Sequence, residues 1–380
     1  MPLETSERAR DYSRLKDRLA LISMATGLLS TAAFVFTSAA SRFNDRLLPK
    51  SNASIAQRTG YSLAISFTSW LLTLPLSFIS GHVVEKRYGL SNQPAAGWAI
   101  DAVKAKAIST PLEVGLIEGV YATIRRWPQR WWLVCAGAVI PLTTIFAQLF
   151  PVLILPRFNK YEPLEDEALA ARLKELTDRA GVPVADVLQM DMSRRTSKAN
   201  AFFAGIGRTK RIVLADTMLA EFTPEEIEGV VAHETAHQVH RDIWRGIALS
   251  SVSTLATAWL TDVVARRTLR TMPSLTGTSD LANPRSLPVI GLVTTVVGLL
   301  ITPLQLAWSR SIERKADRYA IELTGNPAAY ASAMARLAET NLADPNPPRA
   351  ITVLLHSHPP LAERILTAED AYYEQTVRLG

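Results

Sequence analysis

Cysteine is nearly absent: Cys135 is the single one in 380 residues. One thiol forms neither an intrachain disulfide nor a thiolate metal cluster, so any bound metal has to be held by histidine and carboxylate. Histidine is scarce too, with six in the chain. Asp, Glu, Lys and Arg together make 20%, below the roughly 25% of ordinary soluble proteins. The net charge of +6 invites a nucleic-acid partner, but the basic residues flank apolar runs instead of forming a stripe. No nucleic-acid-binding module is visible either, so no nucleic-acid partner is expected. Basic residues beside apolar segments suit anionic lipid headgroups. No internal repeat or low-complexity tract appears.

What fills the chain is apolar sequence, 48% by residue. A bilayer core of about 30 Å takes roughly 20 helical residues. Four uncharged runs have that length: 19–40, 61–80, 131–156 and about Ser286 to Ser309. Two weaker runs, 107–124 and 246–264, contain Glu113, Glu118 and Asp262. A charge at the bilayer centre costs at least about 2.5 kcal/mol, so these two either line a polar cavity or are only partly embedded. Prolines at 75, 111, 141 and 303 are tolerable in membrane helices that pack on neighbours. The 19–40 run is longer than the roughly 7–15 residues of a cleaved signal core, and a retained signal anchor is expected. Six crossings put the N-terminus, the 81–106 loop, the 157–245 segment and the C-terminal tail on one side. The basic stretch from Arg8 to Arg18 places that side in the cytoplasm.

Residues 230–242 read VVAHETAHQVHRD. Upstream, Thr223 suits an N-cap, Pro224 the first helical position and Glu226 a capping box, so a helix is expected to start there. It is expected to run on towards the fifth apolar segment. On a helix, His233 and His237 lie one turn apart on one face and can bind a single ion. Glu234, between them in sequence, can then take a proton from a water at zinc. His240 is expected to be solvated or to support the ligands from outside. A catalytic zinc takes three protein ligands, and the H-E-x-x-H-x-x-G-x-x-H class is excluded, because position 243 is Ile and no histidine follows His240 before His356. Glu313 and Asp317 lie one helical turn apart just after the sixth run. That spacing suits a ligand carboxylate and a second carboxylate that orients a histidine. It suits equally a solvated helix face whose Glu313, Arg314, Lys315 and Asp317 pair with one another.

HETAH followed after two apolar segments by ERKAD resembles the membrane zinc metalloproteases of the type 1 CAAX prenyl protease family, whose bacterial relatives include the heat-shock membrane metalloprotease. EKRYGLSNQ (85–93), LPRFNKYEPLEDEAL (155–169), KANAFFAGIGRTKRIVLADTML (198–219) and HSHPPLAERI (356–365) extend the resemblance over nearly the whole chain. Four apolar runs ahead of the metal helix fit the prenyl-protease branch better than the heat-shock branch. The resemblance implies that His233, His237 and Glu313 bind one Zn2+ per chain, with Asp317 supporting them. It also implies His358 as donor to the developing oxyanion, with Arg364 as a supporting group and His356 as a weaker alternative. The alternative for His358 is a helix-start histidine ahead of Pro359.

The expected fold is mainly α: a multi-pass membrane protein with about six transmembrane helices and a helical zinc-protease domain carrying a small β-hairpin or sheet. Its parts are residues 1–156 with four membrane helices, 157–245 with the HEXXH helix, 246–309 with two further crossings, and 310–380 with the third ligand and the tail. Substrate backbone is expected to pair with an exposed strand edge around Asn200, Ala201 and Phe203. The family gives the asparagine a peptide contact; a plain turn residue is the alternative. Surface connections are expected at 271–287 and 341–350, where Pro, Asn, Gly and Asp gather.

The expected function is an integral-membrane zinc endopeptidase acting on CAAX-type or membrane-protein peptides. Beside it stand a membrane binding or chamber protein with a purely structural zinc, against which Glu234 argues, and a metal-free membrane scaffold. The Ala- and Arg-rich composition points to a bacterium, and so to its inner membrane with the site on the cytoplasmic face. Nothing in the sequence specifies an oligomer.

Overall fold

The computed structural model describes residues 7–48, 53–149, 155–205 and 207–379. The chain opens with α1 (Glu7–Phe36) and α2 (Ser38–Leu47), parted at Thr37, whose hydroxyl accepts from the Ala39 amide. α3 (Ile55–Phe78) starts from a Ser54–Gln57 capping box and contains Pro75. It passes through a π turn at Ile79–Val83 into the short α4 (Val84–Arg87). α5 (Ala95–Arg126) and α6 (Trp131–Leu149) complete the N-terminal half.

Among the described residues each of the six apolar runs lies largely in a helix: α1, α3, α5 and α6 and, further on, α10 (Asp242–Thr271) and α12 (Leu287–Thr324). Glu7–Phe36, Ile55–Arg87, Asp242–Thr271 and Pro284–Thr324 are long and apolar enough to cross a bilayer. The 131–156 run is helical only to Leu149, and 150–154 lie outside the described residues. In α5 the acids are paired sideways: Glu113 accepts from Lys106 at 2.7 Å and Ser109 at 2.8 Å, and Glu118 from Arg58 of α3 at 3.3 Å. The run with Asp262, the other weaker one, meets the length and composition of a span. Its acid accepts from Arg266 at 2.6 Å and from Trp131 Nε1 at 2.5 Å.

Residues 271–287 are not the loose connection that their composition suggests. α11 (Pro273–Thr276) packs on α2, with Thr276, Leu281, Arg285 and Ser286 all buried. Asn44 Nδ2 donates to the Thr276 carbonyl at 3.1 Å, and Arg285 to Asp45 and the Leu48 carbonyl, each at 2.7 Å. Turn residues mark where a chain bends; they say nothing of what the bend packs against.

The remainder packs on a four-stranded sheet: β1 (Tyr161–Pro163), β2 (Asp186–Met190), β3 (Ala201–Ala204) and β4 (Arg211–Ala215), in the order β1-β2-β4-β3. β2 and β4 are parallel; β1 pairs with β2, and β3 with β4, antiparallel. The sheet therefore ends on β3. The core around it comes from α7 (Glu167–Arg179), α8 (Asp216–Glu221), α9 (Pro224–Val239), α13 (Pro327–Thr340) and α15 (Leu361–Leu379). Leu173, Leu176, Leu214, Met218, Ile227, Val231, Met334 and Ile365 meet there. α14 (Arg349–Leu355) packs on α12. Each buried aliphatic chain contributes about 1.5–3 kcal/mol.

Candidate active site

α9 begins as the sequence predicts. Thr223 Oγ1 accepts from the Glu226 amide, and Glu226 returns to the Thr223 amide at 2.9 Å with Pro224 in the first turn. Glu226 is 2% exposed and also accepts from Ser332 at 2.5 Å and Arg336 at 2.8 Å, tying α9 to α13. Gly229 lets α13 approach: a Cβ there would lie 3.4 Å from the Tyr330 ring.

The helix does not run on into the fifth apolar segment. It stops at Val239; His240 caps it, and Arg241 takes φ 55°, ψ 39° before α10 starts at Asp242. His240 is half-buried and packs edge-on against Tyr319. The break places Asp242 where its Oδ2 lies 3.0 Å from His237 Nδ1. On the other side His233 Nδ1 lies 2.9 Å from Asp317 Oδ1. Protons on both Nδ1 atoms, where the carboxylates sit, leave both Nε2 atoms with free lone pairs.

Those lone pairs converge. The two Nε2 atoms are 3.3 Å apart, His233 Nε2 is 3.1 Å from Glu313 Oε2, and His237 Nε2 is 3.6 Å from Glu313 Oε1. His233, His237 and Glu313 are the set of metal-capable side chains that the described residues bring together. Glu313 Oε2 is buried without a hydrogen-bond donor. Ligands at 2.0–2.1 Å around a tetrahedral zinc are about 3.3 Å from one another. Three acceptors at that spacing repel one another unless a cation lies between them, so the donor set fits zinc.

Asp317, 2% exposed, is itself held. Arg364 donates to it at 2.7 Å and Tyr330 at 2.5 Å, and Arg364 also donates to the Tyr330 hydroxyl at 3.0 Å. Burial opposes the Arg364 charge, but Tyr330 and Asp317 outweigh it and keep the guanidinium protonated. Burial raises the Glu234 carboxyl above its ordinary value despite the two histidines nearby. His358 sits across the site with Nε2 3.5 Å from Glu313 Oε2 and its side chain 59% exposed. A cavity of about 530 Å³ next to it is lined by Lys16, Lys198, Asn341, His356, His358 and Arg364.

All the predicted chemistry-bearing residues thus gather in one place, with two exceptions in degree. His356 turns away to Asp17 of α1, 3.2 Å off. Asn200 and Ala201 stand at the start of β3, which packs against α9: Ala201 is buried, and Asn200 is exposed with its carbonyl taken by the Ala215 amide at 3.0 Å. Sequence reasoning missed Asp242 and Tyr330. Asp242 is five residues from His237, off the helical spacing, and Tyr330 is 97 residues from His233.

Known proteins resemble this chain over most of its length. Residues 163–371 match peptidase family M48. The chain belongs to that family. Residues 1–160 match the family described as "CAAX prenyl protease N-terminal, five membrane helices"; the described residues there form α1, α3, α5 and α6 as long helices and α2 as a ten-residue one. An uncharacterized metalloprotease of Bacillus subtilis, YhfN, is 36% identical over 316 residues, 82% of this chain and 73% of that protein. CAAX prenyl protease 1 of Saccharomyces cerevisiae is 29% identical over 399 residues, 98% and 87% of the two chains. The crystal structure of S. mikatae Ste24p superposes with a TM-score of 0.84 at 26% identity, covering 96% of this chain and 89% of that one. This M48 member is an integral-membrane metalloprotease resembling the CAAX prenyl proteases.

Proposed function

We propose that the chain is a zinc endopeptidase in which His233, His237 and Glu313 hold one Zn2+. The observation that carries this is the convergence of two imidazole Nε2 atoms and a donor-free carboxylate, with both Nδ1 atoms facing carboxylates. Zinc bound there polarises a scissile carbonyl and lowers the pKa of water towards about 7. Glu234, beside the ligands on α9, takes the proton of the attacking water and passes it to the leaving amine. His358, on the open side, donates to the carbonyl oxygen as negative charge develops. Asp242, Asp317, Tyr330 and Arg364 keep the two imidazoles in register.

Substrate main chain adds to the free edge of β3 beside Asn200 and Ala201. The names of the relatives support peptides of the CAAX type as substrates, with membrane-protein segments as the second class that the membrane helices would serve. The basic stretch from Arg8 to Arg18 supports a cytoplasmic site, and the bacterial relative supports the bacterial inner membrane.

The test is Glu234→Gln in purified full-length protein. Stoichiometric zinc should remain while peptide cleavage falls by about 10²–10⁴-fold, the usual contribution of a general base. Cleavage at the wild-type rate by the zinc-loaded variant sinks the mechanism.

A further inference from the structure

α12 carries a buried cation that the chemistry above does not use. Arg310 is 7% exposed and lies three residues, just under one turn, ahead of Glu313 on the same helix. Among the described residues no carboxylate pairs with it. Its Nη1 donates instead to two backbone carbonyls, Thr352 at 2.9 Å and His356 at 2.7 Å. Both belong to the end of α14: Thr352 lies in its last turn and His356 is its C-cap. The Thr352 carbonyl also accepts from the His356 amide at 3.3 Å, and the His356 carbonyl, at the negative end of the helix dipole, is satisfied by the guanidinium. His358 follows two residues later and projects to within 3.5 Å of Glu313 Oε2.

We propose that Arg310 is a positioning residue for His358. It fixes the end of α14 to the helix that carries Glu313, so the donor and the zinc ligand share one frame. The residues after His356 cannot wander far, because Pro359 and Pro360 follow His358 and bring the chain into α15. A second tether, His356 Nε2 to Asp17 Oδ1 at 3.2 Å, holds the same segment from α1. Loss of Arg310 therefore tilts the His358 segment instead of releasing it. This inference rests on the role given to His358 above.

The experiment is a double-mutant cycle on full-length protein in lipid nanodiscs. The readout is the quenched peptide that the wild type cleaves fastest in a mixed library. Arg310→Met should lower kcat by about 10- to 100-fold, the scale of loss when a reacting group is misplaced by about 1 Å. KM and zinc content should stay within twofold of the wild type, a limit of about twofold being ordinary scatter for such contacts. Arg310→Lys, which keeps a donor at the carbonyls, should recover part of kcat. In a His358→Ala background, Arg310→Met should cost nothing further, because the group that it positions is gone. Three results overturn the proposal: Arg310→Met with wild-type kcat, additive losses in the double variant, or a loss seen in zinc content or KM instead of kcat. His358→Ala with unchanged kcat removes the role of His358 and the inference with it. An impaired His358→Ala combined with additive losses removes the inference alone.

Discussion

Asp242 offers the cleanest test of the coordination geometry. Its Oδ2 faces His237 Nδ1 at 3.0 Å and its side chain is 8% exposed. Its only other ionic partner among the described residues is Arg245, 57% exposed and 3.5 Å off, a contact worth little in water. Asp317 would be a poor choice for the same experiment. Its loss strands the buried Arg364 charge, at about 3–5 kcal/mol of folding stability. A charge-assisted hydrogen bond contributes about 1.5–3 kcal/mol. Loss of a group that orients a metal ligand costs about 10- to 100-fold in affinity, which is the same size at about 1.4 kcal/mol per decade.

Two substitutions divide that quantity. Asp242→Asn keeps an oxygen for Nδ1–H to donate to and removes only the charge, so zinc affinity should fall to the weaker end, about 10-fold. Asp242→Ala removes the partner and frees the ring, so about 100-fold is expected. The assay is zinc competition against a chromophoric chelator at fixed pH, with the melting temperature of each variant as control. The order wild type, Asn, Ala in affinity is required. Wild-type affinity in Asp242→Ala would falsify the assignment of the His237 Nε2 lone pair to the metal, since a ring that needs no orienting partner is not held as described.

Two further outcomes follow from the scaffold. Gly205 has φ +87° and a Cβ there would lie 2.2 Å from the Thr209 carbonyl oxygen; Gly205→Ala should cost about 1–3 kcal/mol of strain, lower the melting temperature and raise peptide KM by disturbing β3, and an unchanged melting temperature refutes the account of that turn. Glu226 is buried, which alone would raise its pKa, but Arg336, Ser332 and the Thr223 amide outweigh burial and lower it. A folded-state value below the unfolded one, about 4.3, gives stability that is present above that pH and lost as pH falls through the folded value. The melting-temperature gap between wild type and Glu226→Gln should therefore be full at pH 7 and shrink below about pH 4, and a gap independent of pH contradicts the ionic reading.

Much of the site is legible in sequence because it is local. Thr223, Pro224 and Glu226 mark a helix start, and the four-residue step from His233 to His237 needs only that helix. The apolar runs are legible for a similar reason, since each is one local stretch of sequence. Glu313 is different. Its spacing to Asp317 also suits a solvated face, and only resemblance to a known family separates the two; in the structure both are buried, at 7% and 2% exposure. Asp242 is illegible because it depends on Arg241 in a left-handed conformation, a geometry that neither glycine nor asparagine announces here. β1 and β2, three and five residues long, are too short for alternation to show, and Pro163 argues against a strand. The packing of 271–287 on α2 depends on Asn44, more than two hundred residues away.

The site lies near the ends of two helices that are long and apolar enough to cross a bilayer. Glu313 follows Ser309, the last residue of the uncharged run, by four residues, about 6 Å along a helix. Asp242 stands at the first residue of α10, one turn before that helix becomes apolar. The carboxylate proposed to bind the metal and the one that faces His237 are thus carried on α12 and α10, which pack on each other. α10 and α12 meet through Thr261 and Thr294, whose hydroxyls are 3.2 Å apart, and through Ala265 and Leu269 against Val289 and Val293. α9 only has to lie across their ends, and its capping box and Glu226 fasten it there through α13. A soluble domain would need a separate scaffold to bring residues 237 and 313 together. In this chain the pairing of α10 with α12 does so, and the apolar runs are for that reason part of the scaffold of the proposed metal site.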